Sequence, residues 1–292
     1  VQSMTTVLLV SIAAFLLVIL LLVSILLYAK AKLLPSGKVN LNINDDDEHQ
    51  YEVSPGSTLL NTLQNQKILL PSACGGGGTC AMCECEILEG GGEILPTEKP
   101  YFTRKEIKEH KRLACQVKVK EDMVVHIPEE IMGIKKWECE VVSNHNVATF
   151  IKEFVVKLPE GETLDFRSGG YIQIDVPKLS VDYKDIEVED EYKEDWDKFK
   201  MWDLKMKNPE ETFRAYSMAN HPAEGNIIML NIRIATPPWD NAKNAFMKVN
   251  PGICSSFIFS RKPGDKVMIS GPYGEFFIKD TQSEMMFIGG GA

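Results

Sequence analysis

Three cysteines and four glycines crowd into the ten residues Cys74-Gly75-Gly76-Gly77-Gly78-Thr79-Cys80-Ala81-Met82-Cys83, and no other stretch of the chain leaves so few options. Thiols spaced C-x5-C-x2-C can all face one metal centre if the backbone between them wraps tightly. Successive glycines permit the positive φ values that such wrapping demands. Glycines also bring backbone N–H groups close to whatever the sulfurs hold, where they stabilise added negative charge.

A fourth ligand is needed, and Cys115 supplies it, in Arg112-Leu113-Ala114-Cys115-Gln116, after 31 intervening residues. The spacing resembles the plant-type ferredoxin layout of C-x4-C-x2-C with a distant fourth cysteine, here one residue longer, which points to a 2Fe-2S cluster on Cys74, Cys80, Cys83 and Cys115. The alternatives are structural zinc, which usually takes two close Cys/His pairs, and disulfides, which clustered cysteines form in oxidising compartments. Cys85 is expected to be a bystander in the strand leaving the loop, although it or another group is the fourth ligand if Cys115 is not one. Cys139 and Cys254 are expected to be small buried thiols.

The length of 292 residues allows about two domains. A net charge of −9 and a pI near 5.2 argue against a nucleic-acid partner. Five histidines with no HExxH-like pairing make a histidine-centred metal site a poor expectation. Seven cysteines, an odd number, fit a reducing compartment.

Val1 to Ala29 carries no charged side chain, and its apolar part, Val7 to Tyr28, would span about 33 Å as a helix. A single membrane anchor over residues 1–33 is expected; a signal peptide would have a shorter apolar run preceded by positive charge. Lys30, Lys32 and Lys38 follow the run and nothing basic precedes it, so the positive-inside rule puts the remainder in the cytoplasm. Leu34-Pro35-Ser36-Gly37 reads as a linker. Residues 38–128 read as a mixed sheet with one main helix: strands at Val39 to Ile43 and His49 to Ser54, a helix capped by Ser57, a strand from Cys85, and a capping box Thr103-Arg104-Lys105-Glu106 before Cys115.

From Trp137 the pattern turns β-rich, with strand-like runs at Glu138 to Ser143, Thr149 to Leu158, Tyr171 to Val176, Phe213 to Met218, Asn226 to Ala235 and Lys266 to Ser270. Their spacing predicts a sandwich or barrel over residues 135–280. Between Lys178 and Thr212 a charge-dense excursion interleaves acidic residues with Tyr183, Tyr192, Trp196 and Trp202. It is either a solvated loop with a helix or a partner-docking surface.

Arg214-Ala215-Tyr216-Ser217 lies in one of these strands, with Arg214 and Tyr216 on one face. Gly252-Ile253-Cys254-Ser255-Ser256 opens a helix suited to a phosphate. Gly271-Pro272-Tyr273-Gly274-Glu275-Phe276 follows, then a strand-like run into Gly289-Gly290-Gly291-Ala292. In this order the motifs resemble the ferredoxin–NADP reductase superfamily. With an apolar helix and a ferredoxin-like domain ahead of them, the chain is similar to the F subunits of bacterial sodium-translocating NADH:quinone reductases.

The resemblance implies a multidomain fold: a transmembrane helix, a ferredoxin-like β-grasp domain of α+β type, an antiparallel β-barrel FAD-binding domain, and from residue 284 to 292 the start of an α/β nicotinamide-binding domain. It implies that Arg214 pairs with the FAD pyrophosphate, Tyr216 packs on the isoalloxazine and Ser217 bonds near its reactive nitrogen. Asn231 and Arg233 would reach the ribityl and phosphate region, and Gly252, Ser255 and Ser256 the other side of the pyrophosphate. Electrons would run from NADH through FAD and the cluster to other membrane subunits, and only indirectly to quinone, at the bacterial inner membrane. No side chain is expected to act as a general acid or base, since the cofactors carry the chemistry. Two competing readings stand: the reductase component of an oxygenase, and a membrane-anchored ferredoxin-type electron carrier.

Overall fold

A computed structural model describes residues 2–33, 37–274, 276–278, 280–286 and 288, the side chains of residues 2–5, 7–9, 27 and 29–33 excepted. Pro35 and Ser36 of the expected linker, Glu275, and the glycine run from Gly289 lie outside the described residues. The chain falls into two compact units, Val1–Lys67 with Glu84–Pro128, and Ile68–Cys83 with Glu129–Ala292.

The first unit begins with helix α1, Gln2–Leu33, whose described side chains are all exposed. Among the described residues no helix is long and apolar enough to cross a membrane. The 32-residue helix runs through residues 2–29 of the uncharged stretch.

After α1 come β1 (Val39–Ile43) and β2 (Gln50–Val53), helix α2 (Leu59–Asn65), β3 (Glu84–Glu89), helix α3 (Arg104–Lys108), β4 (Lys111–Leu113) and β5 (Met123–His126). The five strands form one sheet in the order β2-β1-β5-β3-β4. Its one parallel pairing joins β1 to β5 and the others are antiparallel. Alternation along β1 and β5 buries Leu41, Ile43, Met123 and Val125, and α2 buries Leu59, Leu60 and Leu63. The cap of α2 is Thr58 rather than Ser57: its hydroxyl accepts from Asn61 N at 3.3 Å. The Ser57 carbonyl accepts from Val119 N, which ties the residue before the cap to that segment. The Thr103/Glu106 capping box forms as its sequence predicts.

The second unit opens with helix α4 (Glu129–Met132), followed by β6 (Lys135–Ala148), β7 (Ile151–Lys157), β8 (Tyr171–Val176) and β9 (Leu179–Asp182). Helix α5 (Asp190–Lys198), β10 (Lys205–Asn208), β11 (Thr212–Ser217), β12 (Ile227–Arg233), β13 (Trp239–Asp240), β14 (Ala245–Phe246), helix α6 (Ile253–Phe259) and β15 (Lys266–Tyr273) complete it. Six strands form an antiparallel sheet in the order β11-β8-β15-β6-β7-β12. Its two edges are drawn together just past β11, where Ala219 N donates to Met229 O of β12 at 2.8 Å and Asn220 bonds both Ile227 O and Met229 N. That closure removes the free sheet edges an open sheet would expose. The core is lined by Val141, Phe154, Ile172, Ile174, Leu230 and Ile269.

The excursion after β8 is not a solvated loop. Its strands β9 and β10 pair as a ribbon, and Tyr183 and Trp196 are fully buried. Trp196 donates its indole N–H to Thr149 O at 2.8 Å and lies 4.8 Å from the Trp202 ring. The charges face water while Tyr183 and Trp196 point inside and are not available as docking anchors; Tyr192 and Trp202 are half-buried. Trp196→Ala removes the largest buried side chain of this region and its hydrogen bond together. A loss of about 3–5 kcal/mol is expected, measured by chemical denaturation.

Candidate electron-transfer site

The cysteine loop belongs to the second unit. Its backbone takes left-handed values at Gly75 (φ 63°), Gly76 (87°), Gly78 (73°) and Ala81 (59°). Gly75 N donates to Ser72 O and Gly76 N to Ser72 Oγ at 3.0 Å, so the buried Ser72 pins the start of the curl. The curl places Cys80 Sγ 3.4 Å from Cys74 Sγ. Among the described residues no cysteine is joined in a disulfide.

Burial works against the Cys74 thiolate. Hydrogen bonds from the Thr79 backbone, the Cys80 thiol, the Cys80 backbone and the Thr79 hydroxyl outweigh it and bring the thiol down to about 6. A thiol held in its anionic form is ready to ligate metal. Two thiolates on one tetrahedral metal at about 2.3 Å stand about 3.8 Å apart, close to the separation seen. A Cβ at Gly77 would lie 3.9 Å from Cys74 Sγ, an ordinary contact distance. This donor set fits a cluster.

Cys83 is buried at the end of the loop and Cys115 is buried in the turn after β4. Among the described residues, no three His, Cys, Asp or Glu side chains gather at metal-holding distance. A binuclear cluster asks for thiolates in pairs, and Cys74 with Cys80 is the pair that the structure brings together. Cys85 is fully enclosed in β3, and burial pushes its thiol up to about 12, the profile of an inert thiol.

The loop rests on the flavin-motif sheet of the same unit, which sequence reasoning missed. Leu69 packs with Tyr171 of β8 and Tyr273 of β15, with Met82 and Ala215 against them. The two tyrosine rings stack at 5.3 Å, and Tyr171 OH lies 3.8 Å from Met82 Sδ. Gln173 Nε2 donates to Leu70 O at 3.4 Å. A Cβ on Gly75 would run into Arg214 Nη1 and Phe213 O of β11. The only signal in the sequence was the glycine itself, which reads equally as a cluster-wrapping residue.

Arg214 stands half-buried on β11, opposite Ile174 of β8. Its Nη1 donates to Phe213 O at 2.6 Å and to Thr212 Oγ1 at 3.1 Å. Among the described residues its Nε and Nη2 have no bonded partner, which leaves two donors of the fork for a phosphate. Tyr216 is half-buried against the core and Ser217 is exposed. Burial raises Tyr216 far above its ordinary value, helped by the neighbouring Cys254 thiol. Cys254 is itself pushed up to about 12 by burial, against the Tyr216 hydroxyl and the Arg214 charge.

Asn231 and Arg233 lie on the exposed face of β12, away from the inward Leu230 and Ile232. Gly252 caps α6, where a Cβ would stand 2.5 Å from Ala235 Cβ. The serines after it are engaged: Ser255 Oγ accepts from Ala235 N and donates to Gly252 O, and Ser256 Oγ bonds Gly252 O at 2.6 Å and Tyr183 OH at 2.8 Å. Their hydroxyls therefore build the α6 entry. The structure joins Arg214, Tyr216 and Cys254 and, separately, Gly252, Ser255 and Ser256.

Residues 42–120 match the family of 2Fe-2S iron-sulfur cluster binding domains, and residues 198–278 match that of oxidoreductase FAD-binding domains. A protein of Idiomarina loihiensis, named as the F subunit of the Na(+)-translocating NADH-quinone reductase, is 55% identical over 278 residues, covering 95% of this chain and 67% of that protein. The chain belongs to the family of these F subunits. A Pseudomonas aeruginosa member is 53% identical over 282 residues, covering 97% of this chain and 67% of its own length. Among solved structures, an Amycolatopsis cytochrome P450 reductase aligns over 83% of this chain and 59% of its own at 18% identity and a TM-score of 0.45, too distant to bear on function.

For this member of the family, Gly75→Ala and Gly77→Ala separate the two demands on the loop. Gly75→Ala meets a positive φ and the β11 backbone together, and is expected to cost most of the 2Fe-2S absorbance after reconstitution. Gly77→Ala meets Cys74 O only at 3.4 Å and is expected to keep most of it.

Proposed function

We propose that this chain is the electron-input component of a sodium-translocating NADH:quinone oxidoreductase, taking electrons from NADH and handing them to membrane partners. The observation that carries the reading is the seating of the cysteine loop on the sheet whose edge strand holds Arg214 and Tyr216. When bound, FAD accepts two electrons at once and a 2Fe-2S cluster passes them one at a time. The chain's own residues hold and orient.

Cys74, Cys80, Cys83 and Cys115 would hold the cluster, in a loop whose first turn is pinned by the bonds of Gly75 N and Gly76 N to Ser72. Arg214 offers Nε and Nη2 to the pyrophosphate. Tyr216 presents its ring to the isoalloxazine, with its hydroxyl tied back to Cys254, and Ser217 lies exposed at the strand end. Asn231 and Arg233 meet the outer part of the flavin from β12. Gly252 allows the close approach of α6, while Ser255 and Ser256 support it through their bonds to Gly252 O.

Helix α1 is the single membrane span, with the domains after it on the cytoplasmic side of the bacterial inner membrane. Its uncharged run and the lysines that follow support this. Ser11 and Ser24, the polar residues in the interior of that span, offer no ion pathway, so sodium movement belongs to partner proteins of the complex. Domain limits of 38–128 for the cluster domain and 135–280 for the flavin domain follow from the same reading.

The decisive assay is NADH-driven quinone reduction by the detergent-solubilised complex isolated through the full-length protein. Sodium is expected to stimulate it; NADH oxidation with neither quinone coupling nor a sodium response points to an oxygenase-type reductase instead. Arg214→Leu is expected to weaken FAD binding about ten-fold to a hundred-fold, since a charge-assisted hydrogen bond contributes about 1.5–3 kcal/mol. Flavin content equal to wild type in that variant rejects the role of Arg214. Cys115→Ala is expected to lose iron and sulfide and keep its flavin; full retention of iron and sulfide makes Cys85 or another group the fourth ligand.

A further inference from the structure

In the first unit a glutamate and an arginine are buried together beside the turn that carries Cys115. Glu98 is 0% and Arg112 6% exposed. Arg112 Nη2 lies 2.8 Å from Glu98 Oε2, and Nε reaches both carboxylate oxygens at 3.1 and 3.3 Å. The rest of the guanidinium donates to the carbonyls of Gly91, Gly92 and Glu93. Glu98 in turn accepts from Leu95 N at 3.0 Å and Leu113 N at 2.9 Å.

Leu113 is the junction. Its N–H is held by Glu98, and its carbonyl accepts from Gln116 N at 2.8 Å and Val117 N at 3.2 Å, closing the turn that contains Cys115. The pair therefore fixes both the ladder entering that turn and the Gly91–Glu98 loop packed over it. Burying two charges is costly, and a fully hydrogen-bonded pair is rarely a net gain over well-packed apolar side chains. An ion pair at this place calls for a use beyond stability.

We propose that Arg112 and Glu98 form a charge-balanced positioning pair for the Cys115 ligand, neutral together so that neither biases the reduction potential of the cluster. This rests on the cluster reading above. Adding an electron adds negative charge, which a nearby unbalanced cation favours and an unbalanced anion opposes. Each half alone would move the potential, in opposite directions.

The test is a redox titration followed by electron paramagnetic resonance on the full-length protein loaded with its cluster, for Glu98→Gln, Arg112→Met and the double variant. Glu98→Gln keeps an oxygen for Leu113 N and leaves Arg112 unbalanced. Its potential is expected to rise, so that at a fixed applied potential the reduced-to-oxidised ratio grows about ten-fold, or about 59 mV for one electron. Arg112→Met is expected to move it down and the double variant to return it near wild type. Arg112→Lys, which keeps the charge and loses the fork, is expected to hold the potential while a chelator strips the cluster faster. Should Arg112→Met fail to accumulate, the contrast of Glu98→Gln with Arg112→Lys still decides.

Shifts in one direction for both charge-removing variants, or no shift in Glu98→Gln with full cluster content, overturn the proposal. A shift in Arg112→Lys as large as in Glu98→Gln does the same. Wild-type protein that takes up no cluster overturns the cluster reading itself, and the two failures are thereby told apart.

Discussion

Sulfurs can converge on a small inorganic core only where the backbone between them curls back on itself, and that curl is paid for in φ. Residues with a side chain resist the left-handed region, at about 1 kcal/mol or more apiece, and this loop enters it four times between Cys74 and Cys83. Three of the four are glycines and the fourth, Ala81, is the smallest alternative. Ser72 supplies the other half of the constraint by accepting two of the first freed N–H groups. With the curl fixed, Cys74 and Cys80 meet and the Cys74 thiol is held in its anionic form.

The same glycines serve the outer side of the loop. Because Gly75 lacks a Cβ, its backbone can lie directly on β11, and Met82 can reach Tyr171 of β8 from between two cysteines. A loop that had to bulge around a side chain at position 75 would stand off the sheet. The approach is possible only because the sheet presents a flat, stacked surface there: the Tyr171 and Tyr273 rings lie within 18° of parallel. Ser270 holds the Tyr273 hydroxyl at 3.0 Å, keeping that ring in place.

Much of this was legible in local patterns. The six barrel strands, the capping box at Thr103 and the unusual loop each declare themselves within a few residues, because alternation, caps and glycine runs are short-range signals. What stayed hidden is set by chain segments far apart. Ser57 and Thr58 are equally good caps in sequence, and the helix takes Thr58, whose hydroxyl accepts from Asn61 N while the Ser57 carbonyl is paired with the distant Val119 N. Trp196 and Tyr183 sit among acidic residues and look like surface anchors, yet strand register and the Thr149 carbonyl turn them inward. At the site, Arg214 and Tyr216 were readable from strand alternation, but Ser255 and Ser256 were not. Their hydroxyls are claimed by Gly252 O, Ala235 N and Tyr183, the last contributed by the excursion itself.

That last contact changes what the excursion is for. Tyr183 reaches from the segment between β8 and β11 to the first turn of α6, and burial raises its hydroxyl to about 12, so it stays a neutral donor or acceptor at any working pH. Trp196 holds the same segment to the β6–β7 turn and stacks near Phe259 at the other end of α6. The short helix is thus gripped at both ends by residues far away in sequence. A helix of seven residues has little stability of its own, so its position comes from packing. The charge-dense excursion is therefore a brace for α6, and its acidic residues keep the outer surface of that brace in water.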